Sequence, residues 1–507
     1  MLRMPWPTAR LLGYLLLFVL TLGIGIELAR PFRSASIAFD SQSAVLYFER
    51  IVSGTRLEQF IPTTPKPLLT AVFGVLYATT HDWRTLAWAT LGVDALGVVL
   101  TAALARRVGG TVAAIFVGVA LANSASLLFD VGYALATPYA LVGWAVAGLA
   151  LTASKPRYAL AGLALAVATL ARVETLVVIL TAFAGLAAAR TRPLRSWTGR
   201  PPRSAWLTPV LGLVALPVMM IHDQLLTGNP FYWAGVASRY AAQTNVHIPG
   251  WIDVAESLGV RYWAMGAVIL LASLGILRLL RERAHAVVIG LVGLGPGVAL
   301  FLILLAARGV VVPIRYAAPI DMAVIFAAGL GLGPVLERLA GWPSLDGPLR
   351  RMWARIGAPG MVAVVAAASM LLTGPYWHTN SSLRSVVRSS LRLASDADRA
   401  VAALDVALQG QGGIAVEGPR VLVPGPVWPR IAIDLGLPLT EIATSDGTRL
   451  ESAGYLVPGQ FLFHDRAGDS AAAAWVDFEI SEPHALGSLL LDPLLVDPSG
   501  MWVLAVR

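Results

Sequence analysis

A carboxylate, a phenol and an ammonium near the start of the chain have the types and spacing that acid–base and phosphate chemistry need. Asp40 is followed seven residues later by Tyr47, on the same face of a segment, 41–53, that is predicted to be helical and to end at Gly54. Lys66 follows in the same stretch. A carboxylate can take the proton of a weak nucleophile, and a fixed ammonium can stabilise the charge that gathers on a phosphate leaving group.

Each of these residues also has a simpler interpretation. Asp40 can cap the N-terminus of the following helix by accepting its free amide hydrogens. Lys66 can extend from a membrane interface with its stem in apolar surroundings. Pro65 and Pro67 flank the lysine and restrict the backbone on both sides, which favours a fixed position for the ammonium.

The composition places these residues in a membrane protein. The chain has 507 residues, of which 57% are hydrophobic and only 13% charged, about half the charged fraction of a soluble globular protein. It has no cysteine, which excludes disulfides, thiolate metal sites and a cysteine nucleophile. Among 38 basic residues only Lys66 and Lys155 are lysines, a bias typical of GC-rich bacterial genomes. We therefore expect a protein of a bacterial plasma membrane and cell envelope.

Apolar stretches of roughly the length that crosses a bilayer recur along residues 1–374. They lie near 10–29, 84–105, 110–128, 136–153, 158–171, 173–189, 206–222, 262–279, 285–305, 316–336 and 358–374, which predicts about 11 crossings. The run from Pro67 to Thr80 is shorter, and we expect it to lie in the outer interface. A cytoplasmic N-terminus puts the arginine-rich short loops inside. Those loops are explained by topology and anionic lipid, and they do not indicate nucleic acid.

The remaining residues, 375–507, are predicted to form an extracytoplasmic α/β domain. Residues 383–408 have helical spacing and stop at Gly410. Short runs typical of strands follow, separated by Gly, Pro and Asp turns. These runs are Gly413–Val416, Arg420–Val423, Tyr455–Val457, Gln460–Phe463 and Trp502–Val506.

The order Asp40…Tyr47…Gly54…Lys66-Pro67-Leu68-Leu69 resembles the GT-C membrane glycosyltransferases, above all the protein O-mannosyltransferases and the lipid A aminoarabinose transferases. The resemblance covers residues 1–374 and places the key residues in a first outer loop, 30–83. Further motifs match in order: Asp130, the stretch from Gly162 to Arg172-Val173-Glu174, Thr227-Gly228-Asn229-Pro230-Phe231, and Arg315-Tyr316.

The resemblance implies that one sugar is transferred, with inversion, from a polyprenyl-phosphate donor to a glycan, lipid or protein acceptor on the outer face. Asp40 would be the general base. The substrate-binding candidates are Lys66, Asp130, Arg56, Tyr47, Arg172, His222, Arg315 and Tyr316. Alternatives remain for two of them, since Asp130 can cap a helix and His222 can be an interface residue. No cofactor is required, and Ser41, where many family members have an acidic residue, gives no support for a divalent metal.

Two rival functions use similar membranes and lipids. A transporter or flippase of a lipid-linked sugar predicts internal repeats and paired charges near the middle of the membrane. A polysaccharide polymerase or ligase predicts arginines in a long late outer loop, whereas the long outer loops here are early and central, at 30–83 and 223–261. Both patterns fit the sequence less well than the transferase does.

Overall fold

The computed structural model describes most of the chain, and its regular structure up to residue 340 is helical. The described residues are 6–29, 38–57, 59–61, 63–191, 201–244, 250–263, 265–310, 314–340, 364–367, 369, 381–410, 420–423, 427–444, 461–465, 491–496 and 501–506.

The helices follow one another with short connections. They are α1 (Trp6–Ala29), α2 (Phe39–Ser53), α3 (Pro67–Thr80), α4 (Arg84–Ala122), α5 (Ala125–Gly132), α6 (Thr137–Leu151), α7 (Tyr158–Ala171), α8 (Thr175–Ala188), α9 (Leu207–Gly212), α10 (Ala215–Thr227), α11 (Tyr232–Thr244), α12 (Trp251–Trp263), α13 (Gly266–Arg281), α14 (His285–Val292), α15 (Val298–Ala307), α16 (Ala318–Ala340), α17 (Ser381–Gly410) and α18 (Trp428–Asp434). A π-helical turn, Gly293–Gly297, joins α14 to α15.

Several helical segments are long and apolar enough to cross a membrane. Among the described residues these are Arg84–Ala122, Arg203–Thr227 and His285–Ala307, and α12 with α13 forms a further candidate bent by 88°. Shorter apolar helices of 10–17 residues accompany them, α3 and α6 to α8 among them. The count of about 11 crossings stays a prediction, and most of the segment 358–374 lies outside the described residues.

The first long apolar region bends where the prediction separates two spans. The predicted spans near 84–105 and 110–128 correspond to the two arms of α4, which are divided by non-helical backbone at Gly110, and the second arm ends at Ala122. The backbone of Gly110 has φ 85°, a conformation that only glycine adopts without strain. The chain therefore kinks at this glycine, and α5 follows as a separate short helix.

The closest approach between helices occurs where α13 crosses α16. A Cβ atom added at Gly275 would lie 2.0 Å from the carbonyl oxygen of Ala327, and one at Gly331 would lie 2.0 Å from that of Leu271. Backbones can come this close only where both surfaces carry glycine, which is the usual basis of tight helix packing in membranes.

Residues 375–507, called the tail from here on, contain helices and a mixed sheet in their described part. The strands are β1 (Val421–Val423), β2 (Ile442–Thr444), β3 (Phe461–Asp465), β4 (Leu491–Val496) and β5 (Met501–Val506), in the order β2-β1-β3-β5-β4. β1 pairs in parallel with β2 and β3, and β5 pairs antiparallel with β3 and β4. The predicted runs Gly413–Val416 and Tyr455–Val457 lie outside the described residues. The boundary at residue 374 stays a prediction.

The tail packs against the first outer loop through α18. The side-chain oxygen of Gln42 accepts a hydrogen bond from the backbone N–H of Arg430 at 3.2 Å. Asp434 accepts hydrogen bonds from the Tyr77 hydroxyl at 2.6 Å and from the indole N–H of Trp83 at 2.9 Å. An apolar cluster continues this contact, and it includes Leu46, Tyr47, Ile61, Leu226, Ile431, Leu439 and Phe461.

We expect Gly331→Ala to destabilise the helical bundle because its new methyl group meets a backbone carbonyl that cannot move aside. Overpacking of this kind costs about 1–3 kcal/mol, so the melting temperature of the purified protein in detergent should fall. Gly92→Ala is the control, since a Cβ there has no neighbour within 4 Å. Equal melting temperatures for the two variants would contradict the close packing of α13 on α16.

Candidate functional site

Asp40 and Lys66, which lie 26 residues apart, meet in an ion pair at the start of α2 and α3. The ammonium nitrogen of Lys66 lies 3.0 Å from Oδ2 of Asp40. The other carboxylate oxygen, Oδ1, accepts a hydrogen bond of 2.8 Å from the hydroxyl of Thr63. The side chains of the ion pair are 16% and 21% exposed, so both stay accessible to a ligand. The pair is therefore held in place and open to solvent.

Asp40 is not at the N-cap position that the simpler interpretation gives it. The N-cap residue of α2 is Ala38, which has an extended backbone. Asp40 lies in the first turn, and its two oxygens are engaged by Lys66 and Thr63 instead. The predicted end of the helix is confirmed: Gly54 terminates α2 in the left-handed conformation, with φ 69°.

The backbone around Lys66 explains why the lysine is flanked by proline. Lys66 is extended, with φ −124° and ψ 92°, and Pro67 is the first residue of α3. Proline suits this position because the first helical N–H has no partner within the helix. The lysine therefore leaves the chain just before a rigid helix, and its side chain reaches back to α2.

Tyr47 is buried behind the ion pair and supports it through Thr63. Its hydroxyl donates a hydrogen bond of 3.0 Å to the backbone carbonyl of Thr63, whose own hydroxyl binds Asp40. Burial raises the pKa of Tyr47 well above its usual value, and the nearby groups of Tyr232, Asp40 and Asp223 raise it further. Tyr47 therefore stays protonated and acts as a hydrogen-bond donor.

His222 lies on the other side of Tyr47 and links α10 to α3. Its ring contacts the edge of the Tyr47 ring, with the centroids 6.5 Å apart. One ring nitrogen lies 3.2 Å from the hydroxyl of Thr70 and the other 3.1 Å from the carboxylate of Asp223. Asp223 also accepts the backbone N–H of Trp233 at 2.6 Å. His222 is buried in these contacts, so it helps to hold Tyr47 of α2 and Thr70 of α3 in place behind the ion pair.

A second charged cluster surrounds Arg172, between α7 and α8. Its guanidinium binds Glu174 at 3.0 Å, lies 4.0 Å from Asp130 and stacks 5.5 Å from the ring centre of Tyr316. Arg172, Asp130 and Glu174 are all buried. The cluster therefore sets one guanidinium against two buried carboxyl groups.

Of the two remaining predicted substrate contacts, Arg56 and Arg315, the structure describes the side chain of Arg56 only. Arg56 is exposed and lies beside Gly228, where a Cβ atom would come within 2.9 Å of a guanidinium nitrogen. Gly228 ends α10 with φ 77°, so the arginine packs over the predicted Thr227–Phe231 motif. The backbone of Arg315 lies in a 3₁₀ turn, Ile314–Ala317, and its side chain lies outside the described part of the structure.

Two residues of the site were missed by the sequence reasoning. Thr63 had no assigned role, although it stands three residues before Lys66 in a proline-rich stretch. Glu174 was noted only as part of a motif, yet it is the main partner of Arg172. Within the described residues, no group of three or more His, Asp or Glu side chains is arranged to hold a metal ion.

The resemblance to the GT-C membrane glycosyltransferases is confirmed at the level of the fold. The chain is similar to ArnT from Cupriavidus metallidurans bound to undecaprenyl phosphate, with a TM-score of 0.56 and 13% identity over 98% of both chains. It is also similar to the oligosaccharyltransferase AglB from Archaeoglobus fulgidus.

In complex with an inhibitory peptide and a dolichol-phosphate, AglB matches with a TM-score of 0.51 and 13% identity, over 86% of this chain and 65% of that one. An oligosaccharyltransferase from Archaeoglobus fulgidus in the apo form matches with a TM-score of 0.53 and 12% identity, over 93% of this chain and 72% of that one. No protein-family model and no curated protein sequence matches the chain.

Removal of the Arg172 charge should destabilise the protein, because Glu174 and Asp130 would remain buried without it. Breaking a buried pair on one side costs about 3–5 kcal/mol, so Arg172→Gln should unfold at a clearly lower temperature than the native chain. Arg56→Gln, a change at an exposed arginine, is the matched control and should cost less than about 1 kcal/mol. Similar melting temperatures for both variants would contradict the buried cluster.

Proposed function

We propose that the chain transfers one sugar from a polyprenyl-phosphate donor to an acceptor at the outer face of a bacterial plasma membrane. The observation that carries this proposal is the accessible Asp40–Lys66 pair, which offers a base and a cation within 3.0 Å of one another. The pair occurs in a fold shared with proteins crystallised with undecaprenyl phosphate and dolichol-phosphate. A carboxylate and an ammonium are the two groups that such a displacement needs.

The reaction is a single displacement at the anomeric carbon. Asp40 takes the proton of the acceptor hydroxyl as its oxygen forms the new glycosidic bond. The bond between the anomeric carbon and the phosphate oxygen breaks, and the lipid phosphate leaves with the electron pair. Because the nucleophile and the leaving group lie on opposite faces of the sugar, the configuration inverts.

The two carboxylate oxygens of Asp40 have different partners and therefore different roles. Thr63 holds Oδ1, and Oδ2 faces Lys66. A donor phosphate that binds Lys66 replaces the carboxylate as the partner of the ammonium, which leaves Oδ2 directed at the acceptor. The ion pair therefore keeps both groups in place until the donor arrives.

Cations supply the charge stabilisation in this scheme. Lys66 contacts the phosphate, and Arg172, which is paired with the buried carboxyl groups of Glu174 and Asp130, keeps these two groups in place. Amino and guanidinium groups can neutralise a lipid monophosphate, so the scheme requires no metal. The lipid tail lies between helices, the N-terminus faces the cytoplasm, and the tail from residue 375 faces the extracytoplasmic side.

We expect Asp40→Asn to abolish most of the transfer, because the amide cannot accept the proton. General-base catalysis contributes about 10²–10⁴-fold, so kcat should fall by that factor while the donor still binds. Lys66→Met should raise the donor KM as well as lower kcat. Synthetic undecaprenyl-phosphate hexoses and pentoses serve as donors, and released undecaprenyl phosphate is measured.

The chain offers matched controls for both changes. Lys155→Met removes the other lysine, which is exposed between α6 and α7, and Asp405→Asn removes an exposed carboxylate on α17. Both should turn over at the native rate. Near-native turnover by Asp40→Asn would remove the base assignment, and an unchanged donor KM in Lys66→Met would remove the phosphate contact.

Thr63→Val tests the positioning of Asp40. It removes the hydroxyl that binds Oδ1 and keeps the backbone carbonyl that binds Tyr47. Hydrogen bonds to charged groups are worth about 1.5–3 kcal/mol, so kcat/KM should fall at least tenfold, and Thr63→Ser should restore it. The hydrogen bond from Thr63 stabilises the ionised carboxylate of Asp40. Its removal should therefore move the acidic limb of the pH profile to higher pH. An unshifted limb would show that Thr63 acts only on folding.

A further inference from the structure

A polar cavity lies where α17 and α18 meet the ends of α2 and α3 and the start of α4, and we name it the seam cavity. It has a volume of about 640 Å³, within the range of small-molecule sites. Its lining comes from α2, the end of α3, the start of α4, α17 and α18. Ala78, Ile433 and the rings of Tyr77 and Trp83 form its apolar lining, and the remaining residues are Glu49, His81, Asp82, Arg84, Asp398, Arg430 and Asp434.

The floor of the seam cavity is rigid and internally satisfied. Asp434 accepts hydrogen bonds from Tyr77, Trp83 and Arg430, and the rings of Tyr77 and Trp83 lie 4.3 Å apart. The guanidinium of Arg430 lies 5.8 Å from the centre of the Trp83 ring and also pairs with Asp398. These groups hold the tail in place, so a ligand can use the rim without breaking the floor.

The rim carries exposed polar groups that can bind a ligand. Glu49 and His81 are exposed, as are about half of the Asp82, Arg84 and Asp398 side chains, at 52%, 55% and 54%. Glu49 makes no hydrogen bond within the described part of the chain. Carboxylates accept hydrogen bonds and guanidinium donates them, so the rim offers planar groups of both kinds in an aqueous cleft.

This chemistry matches the hydroxyl groups of a carbohydrate. Each sugar hydroxyl donates one hydrogen bond and accepts others, which suits a rim with both acceptors and donors. The lining has four carboxyl groups, those of Glu49, Asp82, Asp398 and Asp434, against the two guanidinium groups of Arg84 and Arg430, so a polyanion is disfavoured. This predominance of charged groups in the lining also disfavours a lipid tail or an apolar peptide side chain.

We propose that the seam cavity is a binding site for neutral carbohydrate, distinct from the Asp40–Lys66 site. The two sites lie at opposite ends of α3, with Lys66 before its first residue and Tyr77 ten residues after Pro67. That separation is about 15 Å along the helix, too far for one sugar unit to occupy both. The cavity would hold a part of the acceptor glycan remote from the reacting hydroxyl, and this last assignment rests on the proposed transfer.

The first experiment measures binding without donor or turnover. The full chain in detergent is titrated with neutral tetrasaccharides of glucose, mannose, galactose and N-acetylglucosamine and with a uronic-acid tetrasaccharide, by saturation-transfer NMR. We expect at least one neutral tetrasaccharide to bind, and the acidic one to bind more weakly. No binding of a neutral sugar, or tighter binding of the acidic one, overturns the proposal.

Two variants locate the bound sugar. Ala78→Trp fills the cavity from α3 without changing a charged group, and Glu49→Gln with Asp82→Asn removes two rim charges. Each should weaken binding at least tenfold. Val75→Trp, at a 51% exposed position of the same helix, and Asp405→Asn, at an exposed carboxylate of α17, are the matched controls and should bind as the native chain does. Binding unaffected by Ala78→Trp overturns the site.

A kinetic measurement separates this inference from the proposed function. Lys66→Met should retain carbohydrate binding. Failure of the transfer reaction therefore does not overturn the inference that the seam cavity binds carbohydrate. In the active chain, Ala78→Trp should raise the KM for a glycan acceptor at least tenfold and leave kcat unchanged. An unchanged acceptor KM would remove the link to the acceptor, even if the cavity binds sugar.

Discussion

The ion pair between Asp40 and Lys66 is the interaction on which the arrangement of the outer loop depends. It joins the first turn of α2 to the residue before α3, so two helices that are separated by an irregular stretch keep one relative position. Thr63 lies within that stretch and is fixed at its hydroxyl and its carbonyl, by Asp40 and Tyr47. The charges are stabilised by these contacts while a fraction of each side chain remains accessible.

The tail reinforces this loop from the opposite end of α3. Asp434 of α18 holds both Tyr77, near the end of α3, and Trp83, just before α4. The shared apolar cluster brings Leu46 of α2 and Ile431 of α18 into one core. The two ends of α3 therefore make different contacts. The ammonium of Lys66 lies at its N-terminal end, and Tyr77 near its C-terminal end binds Asp434 and borders the seam cavity.

Local signals in the sequence were sufficient for the elements that carry the site. Pro67 and Gly54 marked the start of α3 and the end of α2, and both positions are confirmed. The meeting of Asp40 with Lys66 followed from their order in a recognisable motif. Thr63 and Glu174 could not be assigned, because their roles come from partners in other elements that no periodicity reveals. The docking of α18 likewise rests on contacts more than 300 residues apart in sequence, Tyr77 with Asp434 among them.

The proline at the start of α3 sets how the site can respond to a ligand. Pro67 has no N–H, and its ring disfavours helical geometry at the preceding residue, so α3 cannot lengthen by one residue to absorb Lys66. The ammonium of Lys66 therefore projects from a backbone that the neighbouring proline restrains. A change of partner by this ammonium can take place by rotation about the four carbon–carbon bonds of its side chain, with α3 left in place.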